Sequence, residues 1–143
     1  MATAATNTIH VDIVSAEGEI FSGAASMVFA PATQGDLGIA PRHAPLLTML
    51  KAGEVRVQTP DGQEQQFFVG GGAIEIQPNK VTVLADTALR ARDLDEAAAL
   101  AAKQRAEETL RGATDKIEQA EAMKEIVRMA EQVKMIQRMR KGK

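Results

Sequence analysis

The chain changes physical character once, near Arg90, and that break constrains its fold more than any other feature. All four Phe (Phe21, Phe29, Phe67, Phe68) and all five Pro stand before residue 80, whereas the later part is rich in Ala, Glu, Gln, Lys, Arg and Met. Aromatic text punctuated by Pro suits strands and turns. Ala- and Glu-rich text suits helices. A chain of 143 residues holds one ordinary domain or a small domain with an appendage. The reading is therefore a β + α chain: an all-β sandwich or barrel over residues 1–88, joined to a helical hairpin over residues 89–143.

The first part reads as short strands at regular spacing. Residues 9–14, Ile-His-Val-Asp-Ile-Val, alternate apolar and polar as a half-buried strand does. Further strands are expected at 19–23, 25–31, 46–50, 54–58, 64–69, 73–77 and 80–85, with turns at Lys51-Ala52-Gly53, Pro60-Asp61-Gly62, Gly70-Gly71-Gly72 and Pro78-Asn79. Eight to ten strands so spaced make an all-β sandwich or barrel.

The second part opens at Asp93, read as an N-cap with Glu96 three positions on, the pattern of a capping box. Leu94, Ala97, Ala98, Ala101, Ala102, Ala106 and Leu110 form an apolar stripe, and Gly112 stands where a C-terminal cap belongs. Thr114 or Asp115 caps a second helix reaching about Arg140, with a stripe of Ile117, Ala120, Met123, Ile126, Val127, Ala130, Val133 and Ile136. A short break between two helices makes an antiparallel hairpin. Its Ala seam buries little area, so at ~25 cal/mol per Å² the hairpin can detach from the strand domain at low cost; the competing reading is a hairpin packed permanently on that domain. Met123, Met129, Met135 and Met139 add apolar surface able to repack elsewhere.

Several chemistries are excluded. Without Cys there is no disulfide, cysteine nucleophile or thiolate metal site. Only His10 and His43 are available for a metal centre or a Ser-His-Asp triad, and nothing pairs Asp12, Asp36 and Glu75 as acid and base. Gly70-Gly71-Gly72 lacks Gly-Lys-Ser/Thr and leads into a strand pattern, so it reads as a close-packed turn, not a phosphate loop. No catalytic site, cofactor or metal is expected. A net charge of −2 argues against nucleic acid. The first residues show no signal-peptide pattern, and no window reaches the ~20 apolar residues of a membrane span, so any membrane link runs through a partner. The C-terminal end is a basic tip, with Lys134, Arg138, Arg140, Lys141 and Lys143 and no acid among them.

Residues 35–47, Gly-Asp-Leu-Gly-Ile-Ala-Pro-Arg-His-Ala-Pro-Leu-Leu, form a stiff loop with a polar side. Their wording resembles the G-E-L-G-I-x-P-x-H-A-P-L-L stretch of the epsilon subunits of bacterial F-type ATP synthases. Residues 11–17, 21–23, 70–78 and 81–88 resemble that family in the same order and spacing. The resemblance implies a ten-stranded β-sandwich and a C-terminal two-helix hairpin. It implies a non-catalytic rotor subunit of the central stalk that couples proton flow to ATP synthesis and, through its helices, inhibits ATP hydrolysis. The implied partners are the gamma subunit, the c-ring and the alpha/beta catalytic head, and the implied place is the cytoplasmic face of the bacterial plasma membrane. The competing reading is a stand-alone ligand- or nucleotide-binding module.

By the same resemblance, Gln34, Gly35, Asp36 and His43 meet the c-ring, with Asp36 where the family usually carries Glu. Arg128, Lys134, Arg138, Arg140, Lys141 and Lys143 meet the catalytic head. Leu94, Asp95, Ala98 and Ala99 align with the Ile/Leu-Asp-x-x-Arg-Ala motif that binds ATP in some members. Ala98 replaces the Arg and removes its charge-assisted phosphate contact.

Overall fold

A computed structural model describes residues 7–141, which form two compact units meeting between Ala91 and Arg92. The first contains β1 (Ile9–Ser15), β2 (Gly18–Ala25), β3 (Met27–Ala32), β4 (Gly35–Ile39), β5 (Leu46–Gln58), β6 (Glu64–Gln77), β7 (Lys80–Ala85) and β8 (Ala88–Arg90). β8 pairs with residues 67–69 of β6, so it carries the first unit past the expected limit at residue 88.

The expected turns at 51–53 and 70–72 are not turns. β5 and β6 run through them as strands of 13 and 14 residues, giving eight strands among the described residues where ten were expected. Each serves in both layers. The C-terminal part of β6 and the N-terminal part of β5 join β2, β1 and β7, whereas their other parts join β8, β3 and β4. The ladder passes from Leu50↔Gly72 to Ala52↔Gly70, and the strand pair bends there. Glycine is needed at this corner: Gly72 has φ +135°, and a Cβ there would lie 2.1 Å from the Leu84 carbonyl oxygen.

Alternate residues of both layers fill one core, including Ile9, Val11, Ile13, Val28, Ile39, Val55, Phe67, Ile74, Ile76 and Val83. Fully burying such a side chain contributes roughly 1.5–3 kcal/mol. β2 folds over the other layer, where Phe21 meets Phe67 at 5.4 Å between ring centroids and Arg90 donates to the Ile20 carbonyl.

The second unit follows a turn of 3-10 helix at Ala91–Asp93 and comprises α1 (Glu96–Gly112) and α2 (Lys116–Lys141), packed as a hairpin. The N-cap is Asp95, not Asp93: the Asp95 carboxylate accepts the Ala98 N–H at 3.2 Å, which makes Glu96 the first helical residue and removes the capping box. Gly112 is the last residue of α1, and the cap is Ala113 in extended backbone. Asp115 caps α2 by accepting the Ile117 N–H at 2.8 Å.

The buried phases also differ from the expected stripes. Ala99 and Ala106 are buried in α1, and Ala122, Met129, Gln132 and Met135 in α2. Ala97, Ala98, Ala101, Ile117, Ala120, Met123 and Val127 lie exposed. With Ala on every side of α1, apolar periodicity has no unique phase.

Candidate functional site

The expected loop residues divide between two ends of β4. Gln34 lies in the β3–β4 turn, and Gly35 takes φ +135° at the first position of β4. Asp36 pairs with Pro31 in the ladder and stands exposed. This turn abuts β5, where Thr33 N–H donates to the Met49 carbonyl at 2.9 Å. His43 belongs to the other end, in a turn closed by its N–H on the Ala40 carbonyl; neighbouring Arg42 donates its N–H to Pro78 at the β6–β7 turn. From Leu46 to Leu50 the chain advances roughly 13 Å, so His43 does not share a cluster with Asp36.

Beside the β3–β4 turn lies a surface that strand periodicity did not disclose. The register aligns Met49, Ala73, Leu84 and Val14 across β5, β6, β7 and β1, on the side opposite the core. Leu47 is 73% exposed, Met49 57% and Leu84 55%. Residues 46–50, Leu-Leu-Thr-Met-Leu, are apolar on both phases. A strand apolar on both faces must either lie between layers or await a partner.

The same face becomes polar at its other end. Ser22 hydroxyl donates to Asp12 Oδ1 at 2.7 Å, His10 Nε2 lies 2.9 Å from that oxygen, and Lys80 Nζ lies 3.3 Å from Oδ2. The Ser22 hydrogen bond foremost, with help from His10 and Lys80, holds the Asp12 carboxyl below its ordinary range against the opposing effect of burial. This trio is no catalytic triad. Ser22 Oγ, at 3.2 Å, and Asp12 both meet Nε2 of His10, whereas a relay needs them on different ring nitrogens. Among the described residues no group of three or more His, Cys, Asp or Glu is placed to hold a metal ion.

In the hairpin, the residues aligned with the nucleotide motif are committed otherwise. Asp95 caps α1, Ala99 is buried, Leu94 is half-buried and Ala98 is exposed with no cationic group. A groove of about 450 Å³ between the helices is lined by Asp115, Glu118, Glu121 and Glu125 against Arg105, among other residues. That lining repels a polyphosphate.

The expected basic residues run along α2, and several are already paired. Arg128 meets Glu125 at 3.2 Å, Lys134 meets Glu131 at 3.1 Å, and Arg140 meets Glu96 of α1 at 2.8 Å. Arg138 and Lys141 are exposed, and Lys143 lies outside the described residues. Pairs at or near the surface are worth about 0–1 kcal/mol, so these cations are only weakly held by their partners within the chain. Among the described residues no helix is long and apolar enough to cross a membrane.

Comparison with known proteins gives concordant matches. Residues 8–91 match the family described as ATP synthase, Delta/Epsilon chain, beta-sandwich domain, and residues 92–137 its long alpha-helix domain. The ATP synthase epsilon chain of Nitrosococcus oceani is 62% identical over 134 residues, covering 94% of this chain and 96% of that protein. That of Halorhodospira halophila is 56% identical over 137 residues, with 94% and 96% coverage. A chain of the Euglena gracilis mitochondrial ATP synthase shares the fold with a TM-score of 0.75 at 14% identity, covering 87% of this chain and 79% of that one.

Proposed function

This chain belongs to the ATP synthase delta/epsilon family, and from that premise we propose that it is the non-catalytic epsilon subunit at the foot of the rotor's central stalk. The sandwich binds the gamma subunit and the c-ring, coupling proton flow to ATP synthesis at the cytoplasmic face of the membrane. The hairpin inhibits ATP hydrolysis by presenting the basic side chains of α2 to an acidic surface of the catalytic head.

The observation that carries this reading is the exposed apolar row Leu47, Met49 and Leu84, continuous with the turn that holds Asp36. Large apolar side chains held outward on a rigid sheet suit a protein partner. Asp36 at the edge of that row supplies a charge that meets polar c-ring loops. The residues aligned with the nucleotide motif favour the stalk role over a nucleotide-binding module, because the Asp carboxylate is engaged in a cap and the Arg is absent.

Hydrolysis rates of the assembled enzyme test the inhibitory role. Removing residues after Arg92 raises ATP hydrolysis, and replacing Arg128, Lys134, Arg138, Arg140, Lys141 and Lys143 by Gln raises it no further than the truncation does. Equal rates in wild-type, neutralised and truncated complexes would overturn it. In a separate calorimetric titration, millimolar ATP gives no binding heat with the isolated full-length chain.

A further inference from the structure

One contact ties the two ends of the hairpin that its loop leaves apart. Arg140, next to the last residue of α2, places a guanidinium nitrogen 2.8 Å from Oε1 of Glu96, the first residue of α1. Gln137 Nε2 donates to the other oxygen of the same carboxylate at 3.4 Å. Gln137 and Arg140 stand three apart, on one face of α2. Each helix has its favoured charge there, an anion at the N-terminus of α1 and a cation at the C-terminus of α2.

Helix lengths explain why this contact matters. α2 has 26 residues and α1 has 17, so α2 is roughly 13 Å longer than α1 at 1.5 Å per residue and extends past its ends. Side chains on a helix lean toward its N-terminus. Glu96 therefore leans outward past the end of α1, and Arg140 leans back toward it, which bridges the overhang. Along the seam the buried residues are mostly Ala and Met, with small area per Ala. At the far end the connection is the chain itself.

We propose that Glu96 is the catch of a latch that holds the hairpin closed by engaging Arg140. Closure and engagement of Arg140 by an outside acidic surface then exclude one another. The Arg140 side chain is 63% exposed and that of Glu96 25%, so the cation is open to exchange while its acceptor is sheltered. The consequence for hydrolysis rests on the inhibitory reading given above; the latch itself does not.

The test uses the full-length chain, whose lack of Cys lets labels go only where they are placed. Cysteines introduced at Ala97 and Lys141, both exposed, carry spin labels whose separation reports the open fraction by pulsed electron resonance. Glu96→Lys and Arg140→Glu each raise the open-to-closed ratio by roughly two- to five-fold, the scale of an exposed pair. The charge-swapped double variant restores closure, and salt at about 1 M moves the wild type toward either single variant. Unchanged separation in Glu96→Lys, or a double variant more open than both singles, would overturn the latch. In the assembled enzyme, Glu96→Lys lowers ATP hydrolysis because Arg140 is released toward the head. Opening in Glu96→Lys with hydrolysis unmoved would uphold the latch and overturn the inhibitory reading.

Discussion

The two units bury different kinds of residue, and the difference assigns each a mechanical character. The sandwich interior holds Phe, Ile and Val from strands distant in sequence, whereas the hairpin buries Ala99, Ala106, Ala122, Met129, Gln132 and Met135. A buried Ile or Phe removes far more apolar area from water than a buried Ala. The strand unit is thus a stiff platform, and its exposed apolar row keeps a fixed shape. The hairpin is two stable helices with a weak seam, a form suited to an arm that opens.

The largest test of this contrast pairs Phe67→Ala with Ala106→Gly. Phe67 packs on Phe21 and lies beneath Arg90, 5.8 Å from the guanidinium carbon to the ring centroid. Its truncation destabilises the sandwich by about 3–5 kcal/mol. Ala106→Gly costs about 1 kcal/mol, most of it helix propensity. Hydrogen exchange resolved by unit checks both, with the first loss confined to strand amides and the second to helix amides. Equal losses spread through both units would mean that they unfold together and that the contrast is false.

Much of this organisation was legible in the sequence, and the failures have physical causes. Period-2 alternation in 9–14 placed β1 and its core face correctly, because His10 and Asp12 mark the outward phase. Residues 51–53 and 70–72 read as turns because Gly concentrates there. The glycines instead let two strands bend together from one layer into the other, with a backbone approach at Gly72 that no side chain permits. Which phase of 46–50 faces out was hidden because both are apolar. The stripe of α1 was misplaced for the converse reason, since Ala on all sides carries no phase. The basic residues of α2 were visible, but their pairing with Glu96, Glu125 and Glu131 depends on helix register and on the antiparallel neighbour.

A smaller effect probes the polar end of the platform. The Asp12 carboxyl is held below its ordinary range, so its folded pKa lies under the unfolded value of about 3.9. A group depressed in this way stabilises the fold fully above the unfolded pKa, and the contribution is lost as pH falls through the folded value. Asp12→Asn therefore lowers stability at pH 7 by roughly 1 kcal/mol or less. The gap between variant and wild type closes as the medium is acidified below about pH 4. Urea unfolding at a series of pH values measures it, and a gap that widens in acid would show the sign to be wrong.

The smallest expected effect on folding is the most informative about function. Asp36 is exposed at the start of β4, and among the described residues its carboxylate has no ion-pair partner within the chain. Asp36→Lys removes no core contact, and surface changes of this kind stay within about 0.5 kcal/mol. Yet the substitution reverses a charge on the turn that adjoins the apolar row. If that turn meets the c-ring, the variant leaves thermal unfolding unchanged and reduces proton pumping per ATP hydrolysed in inverted vesicles. If the c-ring loops present cations there, the loss deepens at low salt, where repulsion between exposed like charges is least screened. His43→Lys, at the other end of β4, serves as the control for position. If both variants reduce pumping, the contact surface spans the roughly 13 Å between the two ends. If only Asp36→Lys does, the contact is confined to the β3–β4 turn. Unaltered pumping in Asp36→Lys would place the c-ring contact elsewhere on the platform.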